Sequence, residues 1–447
     1  MAADTIAAIA TPPGFGGIGV VRVSGTKVRL ITEAILGRVL EPRLATLAWF
    51  RDEEGEALDQ GLALFFPAPH SFTGEDVLEI QGHGGPLVQD LLLRRVLSLG
   101  ARLARPGEFS ERAFLNGKLD LTQAEAVADL IASSTEDAAR LAGRNLSGEF
   151  SRRIHSLVEN LIDLRTFVEA ALDFPEEEVD FIANSGIAAN LDELMAELDA
   201  LLRGARQGCL IREGIQIVIA GPPNVGKSSL LNALSGTDSA IVTAVPGTTR
   251  DLLHREIQID GLPLHIIDTA GLRHSDDLVE IEGIRRAQDQ IEKADVVLWL
   301  SDDSSNTDTS EFEFNKRSDH IPVILVRNKI DLSGRQPGLT KTSHGTEIAI
   351  SAREGTGLDS LRTHLKQVAG YQEKAEGIFL ARRRHLDALA NAREALTRAH
   401  NDLKTSNTTE LAAEEMRLAQ KALSEITGEF TSDDLLGRIF SSFCLGK

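Results

Sequence analysis

The sequence predicts a multidomain chain: an N-terminal α+β domain, then a helical-bundle domain interrupted by an inserted α/β domain with a parallel sheet. Three textures carry this reading. Residues 4–117 mix short alternating apolar runs with Gly and Pro punctuation. Long helical periodicity takes over at Leu121 and returns after about Gly370. Between these stretches, from Ile215, apolar strand-like runs alternate with helical ones, the signature of strands wound with helices on both faces. Helical texture on both sides makes insertion the economical explanation. The expected divisions are residues 1–117, 118–208 and 370–447 for the first domain and the two helical parts, with 209–369 as the insert.

Within the first domain, residues 18–23 and 77–81 read as strands and 87–99 as an apolar helix. At the next boundary, Thr122 followed three residues later by Glu125 has the form of a capping box, in which a hydroxyl and a carboxylate satisfy orphan amides. Helix continues to about Arg206, with a break at residues 173–180, where Pro175 and neighbouring acids oppose propagation. In the insert, strands are expected at 215–220, 264–267, 296–300, 323–326 and 347–350.

Size and charge bound the function. The 447 residues suffice for two or three domains, each with its own core. Formal net charge is −20, and residues 118–208 alone contribute −10 of it. Indiscriminate nucleic-acid binding is thereby disfavoured, because duplex affinity comes largely from cations that displace counterions. Any RNA contact needs local basic patches such as Arg382, Arg383 and Arg384, which read equally well as a solvated helix face. Two cysteines, Cys209 and Cys444, are too few and too distant to imply a disulfide framework. With no basic leader and no apolar run of about 18 residues, the expected location is the cytoplasm, without membrane insertion.

The insert carries five ordered strings that together define a Ras-like P-loop G domain. Gly221-Pro-Pro-Asn-Val-Gly-Lys-Ser228 follows an expected strand and opens a helix, so Asn224, Val225, Gly226, Lys227, Ser228 and Ser229 surround the phosphates. Backbone amides cradle the phosphates, Lys227 reaches the β and γ oxygens as a catalytic cation, and Ser228 ligates magnesium. Gly247-Thr-Thr-Arg-Asp251 supplies a switch threonine, Thr249, able to reach the same metal. In Asp268-Thr269-Ala270-Gly271, the aspartate holds the metal through its water shell and the glycine amide senses the γ-phosphate. Asn328-Lys329-Ile330-Asp331 sets base identity: a carboxylate accepts two hydrogen bonds from the guanine edge, and adenine lacks the amino group that one of them requires. Ser351-Ala352-Arg353 adds the backbone contact to the guanine carbonyl. Leu272 stands where Ras-like enzymes place a water-orienting glutamine, so water positioning and compensating charge must come from elsewhere. Candidates are Asn224, the loop Thr243, Ala244, Val245, Pro246, Gly247 and Thr248, and the acids Asp276, Asp277 and Glu280.

Strings outside the insert narrow the field. Val20-Val-Arg-Val-Ser-Gly25, Ser71-Phe-Thr-Gly-Glu-Asp76, Glu79-Ile-Gln-Gly-His-Gly-Gly85, Arg105-Pro-Gly-Glu-Phe109, Asn116-Gly-Lys-Leu-Asp120 and the terminal Cys444-Leu-Gly-Lys447 resemble the MnmE (TrmE) family of tRNA-modification GTPases across nearly the whole chain. The family tail usually reads Cys-Ile-Gly-Lys, so Leu445 is a departure that preserves bulk. The resemblance implies a homodimer whose G domains clasp a potassium ion, with Asn224, Thr243, Val245 and Thr248 as ligands. It implies that Glu280 is the catalytic glutamate and that Cys444 has a catalytic role or helps dock the tail. It further implies an N-terminal domain that dimerises and binds a tetrahydrofolate derivative, 5-formyl- or 5,10-methylene-tetrahydrofolate, through Arg22, Glu79, Lys118 and Lys447. The pterin ring shares the amino-oxo edge of guanine, which rationalises an acid at position 79. The implied output is a carboxymethylaminomethyl-type group at C5 of the wobble uridine of certain tRNAs. It is installed with an MnmG-type FAD partner in a heterotetramer. Two other readings compete: a binding-only switch GTPase such as a ribosome-assembly factor, and a folate aminomethyltransferase indifferent to nucleotide.

Overall fold

The computed structural model describes residues 4–172, 186–236, 253–268, 292–305, 321–342, 345–372, 377–404, 409–429, 433–444 and 446. The expected break at 173–180 lies outside them. In chain order the elements are β1 (Ile6–Ile9), β2 (Gly16–Ser24), α1 (Val28–Leu36), β3 (Thr46–Arg51), β4 (Ala57–Phe66), β5 (Val77–Gly84), α2 (Pro86–Ser98), β6 (Arg102–Leu103), α3 (Glu108–Leu115), α4 (Leu121–Ala132), α5 (Glu136–Leu146), α6 (Glu149–Leu172) and α7 (Ile187–Glu213). Then follow β7 (Ile215–Ala220), α8 (Lys227–Ser235), β8 (Leu253–Ile259), β9 (Leu262–Asp268), β10 (Val296–Asp302), β11 (Val323–Asn328), α9 (Ile330–Ser333), β12 (Gly338–Thr342), β13 (Gly345–Ala349), α10 (Leu358–Ala369), α11 (Arg383–Leu403), α12 (Thr409–Thr427) and α13 (Asp433–Ser441). None of these helices is long and apolar enough to cross a membrane, among the described residues.

The chain divides into two compact units. One comprises Met1–Ile131, Gly143–Leu194 and Asn391–Lys447; the other comprises Ala132–Ala142 and Met195–Ala390. In the first unit a six-stranded sheet runs β3-β4-β5-β2-β1-β6, antiparallel except where β6 joins β1. Alternation sorts its faces: Val21, Val23, Leu78 and Ile80 point into a core with Ile31, Ile35, Leu92 and Val96 of α1 and α2. The other face turns Ile6 and Ala8 toward Phe109 of α3. The helix after this sheet begins differently from expectation. Asp120, not Thr122, caps α4: its Oδ1 accepts from Gln123 N at 2.9 Å, and Gln123 Oε1 accepts from Asp120 N at 3.0 Å. This is the reciprocal capping box shifted two residues upstream, and it frees Thr122 to meet the Ser151 hydroxyl at 2.6 Å.

The second unit contains a seven-stranded sheet ordered β12-β13-β11-β10-β7-β9-β8, with β8 and β12 antiparallel to their neighbours and the rest parallel. Its central strands are dominated by apolar residues because both faces are covered, as in β7, where Ile217, Val218 and Ile219 are wholly buried. The predicted fold class is borne out.

Candidate functional site

The chemistry-bearing strings of the insert gather at the carboxyl ends of parallel strands, where doubly wound sheets bind ligands. β7 ends at Ala220, β9 at Asp268 and β11 at Asn328, and Ser351 follows β13 by two residues. After β7 the chain must turn without colliding with β10. Gly221 manages it at φ +137°, where a Cβ would lie 2.2 Å from Leu300 O. Asn224 and Gly226 also take left-handed values, φ +62° and +97°, which curl the loop before α8 starts at Lys227. Lys227 is 8% exposed, and its ammonium donates to Gly221 O at 2.5 Å and Pro222 O at 2.8 Å across the loop mouth. Val225 packs into the core, whereas Ser228 and Ser229 expose their side chains on the first turn of α8. A helix N-terminus with exposed hydroxyls suits an anion and its counter-cation.

Asn328 joins the halves of this site. Only 2% exposed, it donates from Nδ2 to Val225 O at 2.8 Å and accepts at Oδ1 from Ala352 N at 3.0 Å. The same Nδ2 fills the space beside Gly226, where a Cβ would lie 2.3 Å away. Asp331 is oriented by the Ser351 hydroxyl, which donates to Oδ1 at 2.7 Å and accepts from Glu354 N at 3.2 Å. That leaves the other carboxylate oxygen to a ligand. Lys329, at φ +68°, places its ammonium 2.6 Å from Asp302 Oδ2. Burial opposes ionisation of Asp302, but the Lys329 ammonium and two bonds from Ser304 outweigh it and hold its pKa below the usual carboxylate range. Asp302 was not singled out from sequence. Its pairing depends on β10–β11 register, which sets Asp302 opposite Asn328. Ile330 is buried beneath the motif, and Arg353 is exposed beyond it.

For Asp268 the described feature is its backbone at the end of β9, paired with Ile219. Thr243, Ala244, Val245, Pro246, Gly247, Thr248, Thr249, Thr269, Ala270, Gly271 and Glu280 lie outside the described residues, as does Lys447.

A second constellation sits in the first unit. Arg22 and Glu79 face each other across β2 and β5, with Arg22 Nη2 2.8 Å from Glu79 Oε1. The guanidinium lies over the Phe72 and Phe109 rings, 5.4 and 5.8 Å from their centroids. Its Nη1 donates to Gly446 O at 3.4 Å, so the end of the chain reaches this pair. Glycine makes that approach feasible: a Cβ on Gly446 would lie 2.6 Å from Ile9 O. Upstream, Phe440 and Phe443 bury themselves with Leu121 and Ala124, and Gly107 N donates to Cys444 O at 3.3 Å. Cys444 itself is exposed. Lys118 packs its stem near Gly74, on the loop leading to β5.

Ionic contacts hold α3 under this site. Glu108, its side chain 3% exposed, accepts from Arg102, Arg112 and Arg105 N. Burial works to raise the Glu108 pKa, but these donors bring it down to about 2.

Comparison with known proteins places these features in one family. Residues 5–118 match the description "GTP-binding protein TrmE N-terminus", and residues 121–444 match "MnmE helical domain". The chain is 58% identical over 451 residues to the tRNA modification GTPase MnmE of Yersinia pseudotuberculosis serotype IB (strain PB1/+), covering 99% of both chains. It is equally identical over 444 residues to that of Methylococcus capsulatus (strain ATCC 33009 / NCIMB 11132 / Bath), again covering 99% of each. Among solved structures it is similar to the G domain of the T. maritima FeoB iron transporter, at 28% identity and a TM-score of 0.27, over 35% of this chain and 98% of that one. The chain belongs to the MnmE family of tRNA-modification GTPases.

Proposed function

We propose that this chain is a cytoplasmic, potassium-dependent GTPase that works as a homodimer. With an MnmG-type FAD partner in a heterotetramer, it adds an aminomethyl-type group, such as carboxymethylaminomethyl, at C5 of the wobble uridine of certain tRNAs. The observation that carries the reading is the presence, in one chain, of a guanine-selective triphosphate site and a separate cation–carboxylate pair walled by aromatic rings. A binding-only switch needs the first and has no use for the second.

In the G domain, Lys227 lies at the loop mouth where phosphate oxygens compete for its ammonium, and Asp331 keeps one carboxylate oxygen for the base edge. The exposed Ser228 hydroxyl on α8 and the end of β9 at Asp268 fit magnesium, with Thr249 completing its shell. Magnesium, when bound, neutralises charge on the phosphates. Asn224, Thr243, Val245 and Thr248 would hold potassium, which would supply the positive charge that an arginine finger supplies elsewhere, and Glu280 would orient the water. Arg22, Glu79, Phe72 and Phe109 suit a flat heteroaromatic with an amino-oxo edge, which supports a folate donor, 5-formyl- or 5,10-methylene-tetrahydrofolate, with Lys118 and Lys447 toward its carboxylates. Docking of the tail brings Cys444 to the same neighbourhood. Leu47 and Trp49 on edge strand β3, with Leu62 opposite Leu47 on β4, stay exposed on one sheet face, which supports self-association through this domain. The four-part division at 117, 208 and 369 belongs to the same proposal.

Calorimetry with 5-formyl-tetrahydrofolate and the full chain tests it. Binding is expected, weakened at least about tenfold by Arg22→Met or Glu79→Gln through loss of a charge-assisted pair. No heat of binding to the wild-type chain favours the binding-only switch. Full wobble-uridine modification by an Asp268→Asn variant favours the nucleotide-indifferent transferase instead.

A further inference from the structure

The first two of the four strings that follow the phosphate loop are joined by a single hairpin. β8 opens two residues after the Gly247–Asp251 string, and β9 closes on Asp268, the first residue of the Asp-Thr-Ala-Gly string. The strands pair without slippage from Leu253 opposite Asp268 to Ile259 opposite Leu262. A shift at either motif is therefore carried as a rigid ladder to the turn at Asp260–Gly261, about 20 Å away by strand rise. Both turn residues are left-handed, φ +49° and +87°, as a two-residue Asp-Gly hairpin requires.

This turn, at which Asp260 is exposed, is nonetheless tied to the rest of its unit. Asp260 Oδ2 accepts from Lys366 Nζ of α10 at 2.5 Å, and Asp260 O accepts from the Tyr371 hydroxyl at 2.9 Å. Gly261 lies so close to α5 that a Cβ would be 2.5 Å from Asp137 Oδ2 and 3.1 Å from the Tyr371 hydroxyl. The Tyr371 ring packs against the cluster of Ala138, Leu141, Ala142, Ile211 and Leu380. Gln207 of α7 grips the chain on both sides of Tyr371, donating to Gly370 O at 2.7 Å and accepting from Gln372 N at 2.9 Å. So the hairpin tip, the start of α5 and the segment leaving the G domain form one packed body, at the end of the sheet opposite the nucleotide.

We propose that Asp260, Lys366 and Tyr371 are positioning residues that transmit nucleotide state from the interswitch hairpin to α5, the helix that runs from the second unit into the first at Gly143. An ordinary fold staple would hold α5 equally in every nucleotide state. A transmission contact changes α5 protection with nucleotide, because one end of its lever is at the γ-phosphate.

Hydrogen exchange of the full chain, loaded with GDP or with a non-hydrolysable GTP analogue, reads this directly. Amides of residues 138–142 are expected to differ between the two states by about fivefold in wild type, the worth of one such hydrogen bond. Tyr371→Phe keeps the ring packing and removes only the hydroxyl; Asp260→Asn keeps the turn and removes the charge that meets Lys366. Both are expected to abolish the difference while leaving nucleotide affinity and basal hydrolysis within about twofold. Should Tyr371→Phe fail to fold, Lys366→Met replaces it. Identical exchange with the two nucleotides in wild type, an undiminished difference in the variants, or lost nucleotide affinity in the variants overturns the proposal. It rests on GTP binding, whose failure would appear separately as no nucleotide affinity in wild type.

Discussion

Asn328→Ala tests the architecture of the nucleotide site most sharply. The side chain makes two buried hydrogen bonds, to Val225 O and from Ala352 N, and both partners sit in residues less than a tenth exposed. Truncation leaves a carbonyl and an amide buried without partners, each costing about 1–3 kcal/mol. Loss is thus about 2–4 kcal/mol, allowing for some rehydration, and it falls on the two loops that carry Val225 and Ala352, the proposed phosphate and base contacts. If the folded chain absorbs it as loop disorder, GTP and GDP affinities fall together by about 30- to 1,000-fold. Asn328→Asp is the companion variant: it keeps the acceptor for Ala352 N but sets a buried carboxylate oxygen against Val225 O, so a loss at least as large as that of Asn328→Ala is expected. A double-mutant cycle with Gly226→Ala adds a geometric check. In wild type the new Cβ meets Asn328 Nδ2 at 2.3 Å; with alanine at 328 that clash is gone, and only the left-handed backbone cost of about 1 kcal/mol remains. The assay is titration with a fluorescent guanine nucleotide, paired with thermal melts. Affinity within twofold of wild type and an unchanged melt for Asn328→Ala would refute the view that this residue ties the two loops together.

Asp331→Asn should lower GTP affinity by at least about a hundredfold and improve binding of xanthosine triphosphate, whose 2-oxo group accepts from an amide; equal loss toward both nucleotides would deny Asp331 its base-reading role. Glu108 has a depressed pKa, so its contribution, at most about 3 kcal/mol, is complete above pH ~4.5 and disappears as pH falls toward 2. Melting of wild type and Glu108→Gln should accordingly differ most near neutrality and converge in acid; a gap that widens on acidification contradicts the assignment. Burial, foremost, pushes the Cys209 thiol up to about 11, and Cys444 is exposed, so iodoacetamide at pH 8 should label Cys444 at least about tenfold faster, as peptide mass mapping can determine.

Much of the fold was legible because local periodicity and tertiary demand agree in this chain. The strand expected at 215–220 forms as β7, and the helix expected at 87–99 forms as α2, each with an apolar pattern set by the faces it buries. β1, β3, β4, β6, β8 and β12 escaped notice. All lie on or beside sheet edges; β6, β8 and β12 lack the continuous apolar run that marks a central strand, whereas β1, β3 and β4 carry short ones. Thr122 with Glu125 matched a capping box in form, but Asp120 with Gln123 makes it. Two overlapping candidates two residues apart cannot be ranked by spacing when the choice depends on which side chain the neighbouring helix buries.

The sequence by itself determined the strand-to-helix loop at residues 221–228, the Asn328–Asp331 string after β11 and the glycines at Gly221 and Gly226, because each depends on backbone conformation or functional groups within a few consecutive residues. Tertiary structure alone decided which partners complete them. Asp302 meets Lys329 through strand register, Asn328 bridges loops over a hundred residues apart, Arg22 finds Gly446 from the far end of the chain, and Tyr371 reaches the tip of the interswitch hairpin. Such contacts are set by the packing of whole sheets and helices, a property that no short window of sequence contains.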